Sequence, residues 1–333
     1  MQFQVFKIHS DFYYVKDSNN VEYTCKLRDV LKKQKIEIVV GDYVELSEDK
    51  NFIVALLKRN NFLKRPKTSN IDLALVVVSF EEPKLDFNQL DRYLIYLKYH
   101  KINAAICFNK EDLELDIDSF APKIKSIYEK LGYKLFFVSA KNNIGLEDLK
   151  EYIKNKNIVL TGSSGVGKST LINALAPEFY AKTGNVSLKT SRGCHTTRHS
   201  EIIQCENCRI TDTPGFSCLK FDFILPYDLL DLFDDLKPYK NLCKYKDCLH
   251  NTKENGICGI VDNIDKIDKT RYESYLLFLE EALEYKKKIS KRSIKEESSN
   301  KNVGNRIASK ISKRKRTGAR NTVNQSIGEE DDR

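Results

Sequence analysis

The stretch Gly162-Ser163-Ser164-Gly165-Val166-Gly167-Lys168-Ser169 decides the fold of this chain. The apolar residues just before it predict a buried strand, and residues 168–175 predict a helix. A glycine-rich loop that joins a strand to a helix is the phosphate-binding loop of nucleotide-binding α/β domains. Its glycines let backbone N–H groups face the phosphates, Lys168 is expected to reach the β- and γ-phosphates, and Ser169 to ligate Mg²⁺. Thr170 completes the predicted phosphate-binding set, and the competing interpretation is a plain Gly/Ser turn.

Two short motifs indicate which base the nucleotide carries. Asn109-Lys110-Glu111-Asp112 and Ser139-Ala140-Lys141 each follow an apolar run that predicts a strand. Asn109 can meet the O6/N7 edge of a purine, and the Asp112 carboxylate can accept hydrogen bonds from guanine N1 and N2, which adenine does not offer. A backbone N–H of the second motif is expected to meet the guanine O6. Each motif alone is common on protein surfaces, but together at strand ends they predict binding of GTP and GDP.

The order of these motifs predicts a circular permutation. An ordinary guanine-nucleotide domain begins with its phosphate loop, and the Asp-x-x-Gly motif, the Asn-Lys-x-Asp motif and the Ser-Ala-Lys motif follow. Here the last two precede the phosphate loop, and Asp212-Thr213-Pro214-Gly215 follows it. Cutting the ordinary series between the Asp-x-x-Gly and Asn-Lys-x-Asp motifs and joining its original ends gives this order. Such a rearrangement is physically possible because the termini of a domain often lie close together.

The segment after the phosphate loop carries the predicted hydrolytic groups. Asp212 is expected to hold Mg²⁺ through water, and the N–H of Gly215 to meet the γ-phosphate. Phe216 follows, where a Ras-like GTPase has a water-orienting Gln, so we predict that His195 positions the water instead. A solvated loop histidine is the alternative. Either Thr196 or Thr197 is expected to contact Mg²⁺.

A cluster of soft ligands lies further along the chain. Cys243, Cys248, His250 and Cys258 provide three thiols and one imidazole, the donor set of a closed structural zinc site. We predict one Zn²⁺ per chain, against the alternative of buried free thiols. The pair Cys205 and Cys208 has no second ligand pair nearby and predicts packing beside a turn.

The first 62 residues differ in sequence pattern from the region that carries the nucleotide motifs. Short β-rich runs at 3–9, 12–16, 21–27, 36–40, 43–47 and 52–57 predict a small barrel of the OB type, an architecture that commonly binds nucleic acid. Aromatic residues such as Tyr13 and Tyr23 lie near cations such as Lys26 and Lys32, a pattern typical of RNA contact. The predicted multidomain architecture comprises an OB-like RNA-binding barrel (1–62), a basic linker (63–70), a permuted α/β P-loop GTPase domain (71–222), a zinc-binding α-helical domain (223–288) and a basic disordered tail (289–333).

Charge and cysteine content narrow the possible partners. Residues 286–333 hold 15 Lys/Arg and 6 Asp/Glu, which equals the whole net charge of +9. Such a tail is expected to be disordered alone and to approach polyanions, or else to act only as a solubilising tail. Nine cysteines, with no predicted signal peptide or membrane-spanning run, predict a cytoplasmic protein without disulfides or a membrane partner.

The chain resembles the circularly permuted GTPases of the RsgA/YjeQ type over roughly residues 1–288. The resemblance rests on the permuted motifs, the cysteine and histidine spacing, and the segments Cys25–Arg28, Val40–Val44, Arg65-Pro66, Asn70–Asp72, Gly193–Thr197, Asp212–Phe216 and Arg271–Tyr275. It implies a GTPase that binds the small (30S) ribosomal subunit and its rRNA, is stimulated by it, acts in late maturation and leaves after hydrolysis. We expect a monomer.

The chain departs from the family pattern in switch I. Cys194 replaces an Arg and Arg198 replaces a Thr, which affects the choice between the two Mg²⁺ threonines. Gly165 stands where potassium-dependent relatives often have Asn, so we expect no potassium dependence. Two other classes share parts of these features: a P-loop kinase or ATPase, which does not need Asn109 and Asp112, and an RNA-binding scaffold that binds GTP without turnover.

Overall fold

The computed structural model describes residues 1–113, 117–177, 201–205, 208–212, 219–251, 257–297, 300–303 and 306–309. The chain divides into two compact units, Met1–Leu219 with Asp265–Ser274, and Lys220–Ile264 with Tyr275–Arg333. The finer domain borders drawn from the sequence stay predictions. The nucleotide motifs belong to the first unit and the cysteine cluster to the second.

A closed barrel forms the start of the first unit, which confirms the predicted OB-like architecture. Its strands are β1 (Gln2–His9), β2 (Phe12–Lys16), β3 (Glu22–Leu27), β4 (Tyr43–Leu46) and β5 (Phe52–Leu56). They pair in the order β1-β2-β3-β5-β4, and β4 pairs back to β1. Alternating residues point inward, as strand geometry requires, so that Phe3, Val5 and Val15 are buried with Ile53.

Two stretches of the barrel region differ from the prediction. The run at 36–40 is not a strand, and a short helix α1 (Asp29–Lys33) precedes it. The Val39 N–H donates to the Asp42 carboxylate at 2.8 Å, so a side chain takes the bond that a strand neighbour would take.

The predicted basic linker is also different: β6 (Phe62–Lys64) and β7 (Lys67–Ser69) pair as a hairpin. The hairpin packs because Asp42, with no exposed surface, accepts hydrogen bonds from Arg59 and from the Ser69 hydroxyl. A buried carboxylate needs such partners, and they draw this stretch onto the barrel.

The α/β part of the first unit is a mainly parallel sheet. Its strands, β8 (Leu73–Val78), β9 (Ala104–Phe108), β10 (Lys134–Phe137), β11 (Asn157–Thr161), β12 (Glu201–Gln204) and β13 (Arg209–Asp212), follow the order β10-β9-β8-β11-β13-β12. Strand β11 is central, with strands from earlier in the chain on one side and from later on the other. A single pairing, Lys7 with Glu201, continues the sheet into the barrel.

In the described part of the chain, four α-helices accompany this sheet, and the last of them covers the helix predicted at 168–175. They are α2 (Phe87–Tyr99), α3 (Ile117–Tyr128), α4 (Leu146–Ile153) and α5 (Lys168–Leu175). The strands between them are almost wholly apolar, as expected for a parallel sheet covered on both faces. Because parallel strands end at the same edge, the residues after β9, β10 and β11 are brought together there.

The second unit is made of short helical turns around aromatic side chains. Helix α6 (Pro226–Leu229) and three 3₁₀ segments, Leu230–Leu232, Lys237–Leu242 and Val261–Lys266, precede the long helix α7 (Lys269–Glu297), which belongs to this unit from Tyr275 onward. Phe221, Phe233, Tyr275 and Phe278 are buried together.

Helix α7 has a clear physical start and a long extent. The Asp268 carboxylate accepts the Thr270 N–H at 2.9 Å and so caps the first turn of the helix. It runs on to Glu297, since no Gly or Pro interrupts the Lys-rich sequence. In the tail predicted as disordered, β14 (Asn300–Val303) and β15 (Arg306–Ser309) pair as antiparallel strands.

Candidate functional site

The phosphate loop lies directly after β11, as predicted. Gly162, Gly165 and Gly167 have φ values of 146°, 86° and 89°, a region that glycine enters without steric cost. A Cβ at Gly162 would collide with the Val77 carbonyl of the neighbouring strand. The ammonium of Lys168 donates to the carbonyls of Gly162 and Ser163 at 2.8 and 2.6 Å. Ser169 and Thr170 are exposed in the first turn of α5.

Asn109 connects the three separate nucleotide motifs. Its Nδ2 donates to the Val166 carbonyl at 3.0 Å, and its Oδ1 accepts the N–H of Ala140 at 3.0 Å. The side chain is 2 % exposed, and a Cβ at Gly167 would collide with it. The Asn-Lys-x-Asp motif, the Ser-Ala-Lys motif and the phosphate loop therefore form one structure at the carboxyl edge of the sheet.

The other members of the two base motifs lie around this link. The Ser139 hydroxyl donates to the Asp112 carboxylate at 2.5 Å, and the Glu111 N–H donates to the Val138 carbonyl at 3.1 Å. Ser139 is buried, whereas Lys141 is exposed. The predicted base-binding residues are thus held against one another by the backbone and by each other's side chains.

Sequence reasoning missed the loop after β8, which also reaches this edge. The Ser79 hydroxyl, 1 % exposed, donates to the Pro83 carbonyl at 2.7 Å. The same loop offers the Glu82 carbonyl to the ammonium of Lys110 at 2.6 Å. A Cβ at Gly165 would lie 3.6 Å from Pro83 Cδ. The only sequence signal was a proline soon after a buried strand, which is too common to indicate a site.

The predicted hydrolytic segment is described only in part. Asp212 ends β13, where its backbone pairs with Glu201. His195, Thr196, Thr197 and Gly215 lie outside the described residues, as does Phe216. Their roles stay predictions.

The four predicted zinc ligands come together in the second unit. The ligand atoms of Cys243, Cys248, His250 and Cys258 all lie within 4.8 Å of one another. Cys248 Sγ is 3.9 Å from Cys258 Sγ, and His250 Nδ1 is 3.8 Å from Cys258 Sγ and 3.3 Å from Cys243 Sγ. Zinc bonds of about 2.3 Å to sulfur and 2.0 Å to nitrogen in a tetrahedron require separations of roughly 3.5 to 3.8 Å. The donor set and its spacing fit a zinc ion.

Local backbone geometry holds this cluster. His250 has a φ of 57°, and the N–H of Gly259 donates to Cys243 Sγ at 3.3 Å. A Cβ at Gly259 would collide with the Tyr239 carbonyl. Burial raises the pKa of the Cys248 thiol to about 11 and lowers the pKa of His250 to about 4. A bound cation favours the thiolate and the neutral imidazole, so it would remove the cost of ionising the thiols.

The second cysteine pair packs as predicted. Cys205 and Cys208 are buried in the core of the α/β part, and the Cys205 N–H donates to the Cys208 carbonyl at 2.9 Å. A hydrogen bond between the two thiols raises the pKa of Cys205 and lowers the pKa of Cys208. The two residues between them lie outside the described part of the chain.

Family models match most of the chain. The RsgA N-terminal domain matches residues 3–52, and the RsgA GTPase matches residues 56–222. A model described as a 50S ribosome-binding GTPase matches residues 157–296.

Individual relatives cover nearly the same span. A small ribosomal subunit biogenesis GTPase RsgA of Clostridium botulinum (strain Loch Maree / Type A3) is 38 % identical, over 83 % of this chain and 96 % of its own length. The protein of the same name from Alkaliphilus metalliredigens is 39 % identical over 81 % of this chain and 94 % of its own. These relatives support GTP hydrolysis.

Solved structures agree with the fold. YjeQ from Thermotoga maritima superimposes with a TM-score of 0.71 at 28 % identity, covering 85 % of this chain and 98 % of its own. YloQ, described as a circularly permuted GTPase, has a TM-score of 0.69 at 31 % identity, covering 85 % and 95 %. The predicted permuted fold is confirmed. Within the described part of the chain, no helix has the length and apolarity needed to cross a membrane.

Proposed function

This chain belongs to the RsgA family of GTPases, and from that premise we propose that it binds the small (30S) ribosomal subunit, is stimulated by it, and acts in late subunit maturation. GTP hydrolysis promotes its release. The observation that carries the GTPase part is the link made by Asn109, which joins Ala140 and Val166 across the three nucleotide motifs. The ribosomal part is supported by the names of its relatives.

The proposed roles at the nucleotide follow from the positions of the donors. Asp112 accepts from guanine N1 and N2. The N–H groups of Ser139 and Ala140 already donate within the protein, so we assign the O6 contact to the N–H of Lys141. Lys168 moves from the loop carbonyls to the β- and γ-phosphates, because a charged acceptor binds an ammonium more strongly than a carbonyl does.

Magnesium and zinc are the proposed cations. When bound, Mg²⁺ neutralises charge on the β- and γ-phosphates. Ser169 would hold it directly and Asp212 through water, with Thr196 or Thr197 from switch I. Gly215 would donate its N–H to the γ-phosphate. One Zn²⁺ per chain would be held by Cys243, Cys248, His250 and Cys258.

His195 is the proposed catalytic residue. A neutral imidazole can orient the attacking water where Phe216 offers no polar group. His195→Ala is then expected to keep GTP and subunit affinity while losing about 100-fold or more of the stimulated turnover, within the range of general acid–base contributions. His199→Ala, in the same stretch, is the matched control, and Lys168→Ala is expected to damage both binding and turnover.

The experiment is single-turnover hydrolysis of GTP with saturating 30S subunits, with saturating 50S subunits and with neither. We expect stimulation by the 30S subunit alone. Stimulation by the 50S subunit instead would overturn the choice of partner. The 50S subunit is included because one family model that matches residues 157–296 is described as a 50S ribosome-binding GTPase. If His195→Ala hydrolyses GTP at the wild-type rate with 30S subunits, a group other than His195 orients the attacking water. Sedimentation of the free protein tests the proposed monomer, and detection of GTPase and 30S subunits in the same cytoplasmic fractions tests its location.

A further inference from the structure

A cavity of about 560 Å³ opens between the barrel and the edge of the α/β sheet, within the first unit. Its volume is in the range of sites for small organic ligands. Arg209 lines the cavity and pairs with Asn157, the first residue of β11. The phosphate loop begins at the opposite end of β11, after its last residue, Thr161. At about 3.3 Å per residue, roughly 13 Å of strand separates the two ends. The cavity is therefore distinct from the predicted GTP site.

Gln4 of β1 lies in the wall of this cavity with an unpaired donor. Its side-chain Oε1 accepts from Arg209 Nη1 at 2.9 Å, and the residue is 7 % exposed. Its Nε2 has no hydrogen-bond partner among the residues that the structure describes. Buried donors without an acceptor are costly and rare. This nitrogen has almost no exposed surface, so an acceptor from outside the protein would reach it only once the Gln4 side chain turned toward the cavity.

The rest of the lining has the composition of a nucleotide site. Five carboxamide side chains line the cavity: Gln2, Gln4, Asn20, Asn155 and Gln204. Each can both donate and accept, as the edges of nucleobases require. Phe6 and Tyr43 add aromatic surface, which RNA-binding proteins use to stack unpaired bases.

The charges at the cavity favour an anion. Arg209 lines it and has no ion pair among the described residues, whereas the ammonium of Lys16, 4.4 Å from the centre of the Phe6 ring, also pairs with the Glu22 carboxylate at 3.1 Å. The carboxylate of Asp17 is occupied within its own turn, where it accepts the N–H groups of Asn19 and Val21 at 2.8 and 2.9 Å. A simple anion would use only the donor half of each carboxamide, and a neutral ligand would leave Arg209 without a charged partner among the described residues.

We propose that this cavity binds one nucleotide, with its base edge on Gln4 and the neighbouring carboxamides and its phosphate on Arg209 and Lys16. The nucleotide is either an unpaired residue of RNA or a free nucleoside monophosphate, since both present the same groups. The inference extends the proposed contact with rRNA to a defined site and rests on that function for the source of the RNA.

The test uses the full chain with GDP and Mg²⁺ in excess, so that the GTP site is filled. Binding of AMP, CMP and UMP and of the hexanucleotides of A, C and U is measured by calorimetry. Gln4→Met removes the amide at similar volume, and we expect about tenfold weaker binding, the effect of one buried hydrogen bond.

Asn155→Gly is the second variant, and it protects the test against misfolding. Asn155 has a φ of 60°, which glycine adopts freely, so the change removes the amide without straining the loop. We expect binding to weaken about threefold to tenfold. Asn143→Gly is the matched control, because Asn143 is exposed, has a φ of 56° and does not line the cavity.

The outcomes separate the cavity from the proposed function. Weaker binding in both variants, but not in the control, supports the site. Comparing the affinity for the monophosphates with the affinity for the hexanucleotides shows whether the ligand is a free nucleotide or a residue of RNA. Wild-type affinity in both variants, or no binding by the unaltered chain, overturns it. Affinity for 30S subunits is measured on the same samples: failure there overturns the proposed function, while the nucleotide measurements still decide the cavity.

Discussion

The nucleotide site and the cysteine cluster are built in opposite ways. Asn109 reaches a partner 57 residues away in the phosphate loop and another 31 residues away. The four proposed metal ligands lie within residues 243–258, and few regular elements surround them. A buried sheet holds the first site before any ligand arrives, whereas the second depends on local turns. We therefore expect zinc to be needed for the fold of the second unit, and guanine nucleotide only for the function of the first.

The largest expected effect is on the cysteine cluster. In Cys258→Ser we expect zinc to fall from one per chain to none and the second unit to lose its cooperative unfolding, because structural zinc contributes on the order of 10 kcal/mol to small zinc domains. Elemental analysis and calorimetric melting are the measurements.

Cys258→His is the matched control, since it keeps a zinc ligand at the same place. Normal melting of zinc-free Cys258→Ser would remove the contrast between the two regions. Guanine-nucleotide binding in the same sample checks that the first unit is still folded.

Asn109→Ala tests the long-range site. The change leaves the Val166 carbonyl and the Ala140 N–H without their partner. With about 1 to 3 kcal/mol for each lost buried bond, we expect GDP affinity to fall roughly 100-fold and melting temperature to fall modestly. Asn103→Ala, at the other end of β9, is the control for both. Loss of the fold instead of affinity would mean that this site, like the cluster, is needed for stability.

Asp112→Asn narrows the test to the base. The amide cannot accept both guanine N–H groups and offers a donor to the C2 oxygen of xanthine, so we expect about tenfold to 100-fold weaker GTP binding and tighter binding of xanthosine triphosphate. Competition binding with the two nucleotides measures it. Asp148→Asn, an exposed change in α4, should alter neither. Unchanged GTP affinity in Asp112→Asn would contradict the assignment of the base.

The smallest expected effect concerns pH. Burial beside Lys64 lowers the pKa of His100, at the end of α2, to about 4. A lowered pKa means that the folded state prefers neutral histidine, so its contribution is complete above the ordinary value near 6.5 and is lost as pH falls toward 4. We expect the first unit to lose about 2 kcal/mol between pH 8 and pH 5 from this group. His100→Asn should flatten that slope, and an equal slope in the variant would exclude His100 as its cause.

Local motifs explain how much of the fold could be predicted. The strand, loop and helix at 157–175 and the close approach of the four proposed zinc ligands both occur in the structure as predicted, because a few adjacent residue types specify each. The run at 36–40 is not a strand, and the hairpin at 62–69 was not predicted. In both stretches a donor bonds to the buried Asp42 carboxylate: the Val39 N–H in the first and the Ser69 hydroxyl in the second. These partners lie in different segments, so the pattern within one segment does not predict the contact.

The amino-acid sequence alone fixes the permuted order of the nucleotide motifs, and it supplies the residue types proposed to select guanine and to bind zinc, because these are chemical properties of short segments. Only the tertiary structure decided that Asn109 joins three motifs, that the Ser79 loop reaches Lys110, and that Gln4 faces a cavity with Arg209. Those contacts depend on which strands become neighbours. Strand pairing is settled by the packing of the whole sheet and not by any one segment.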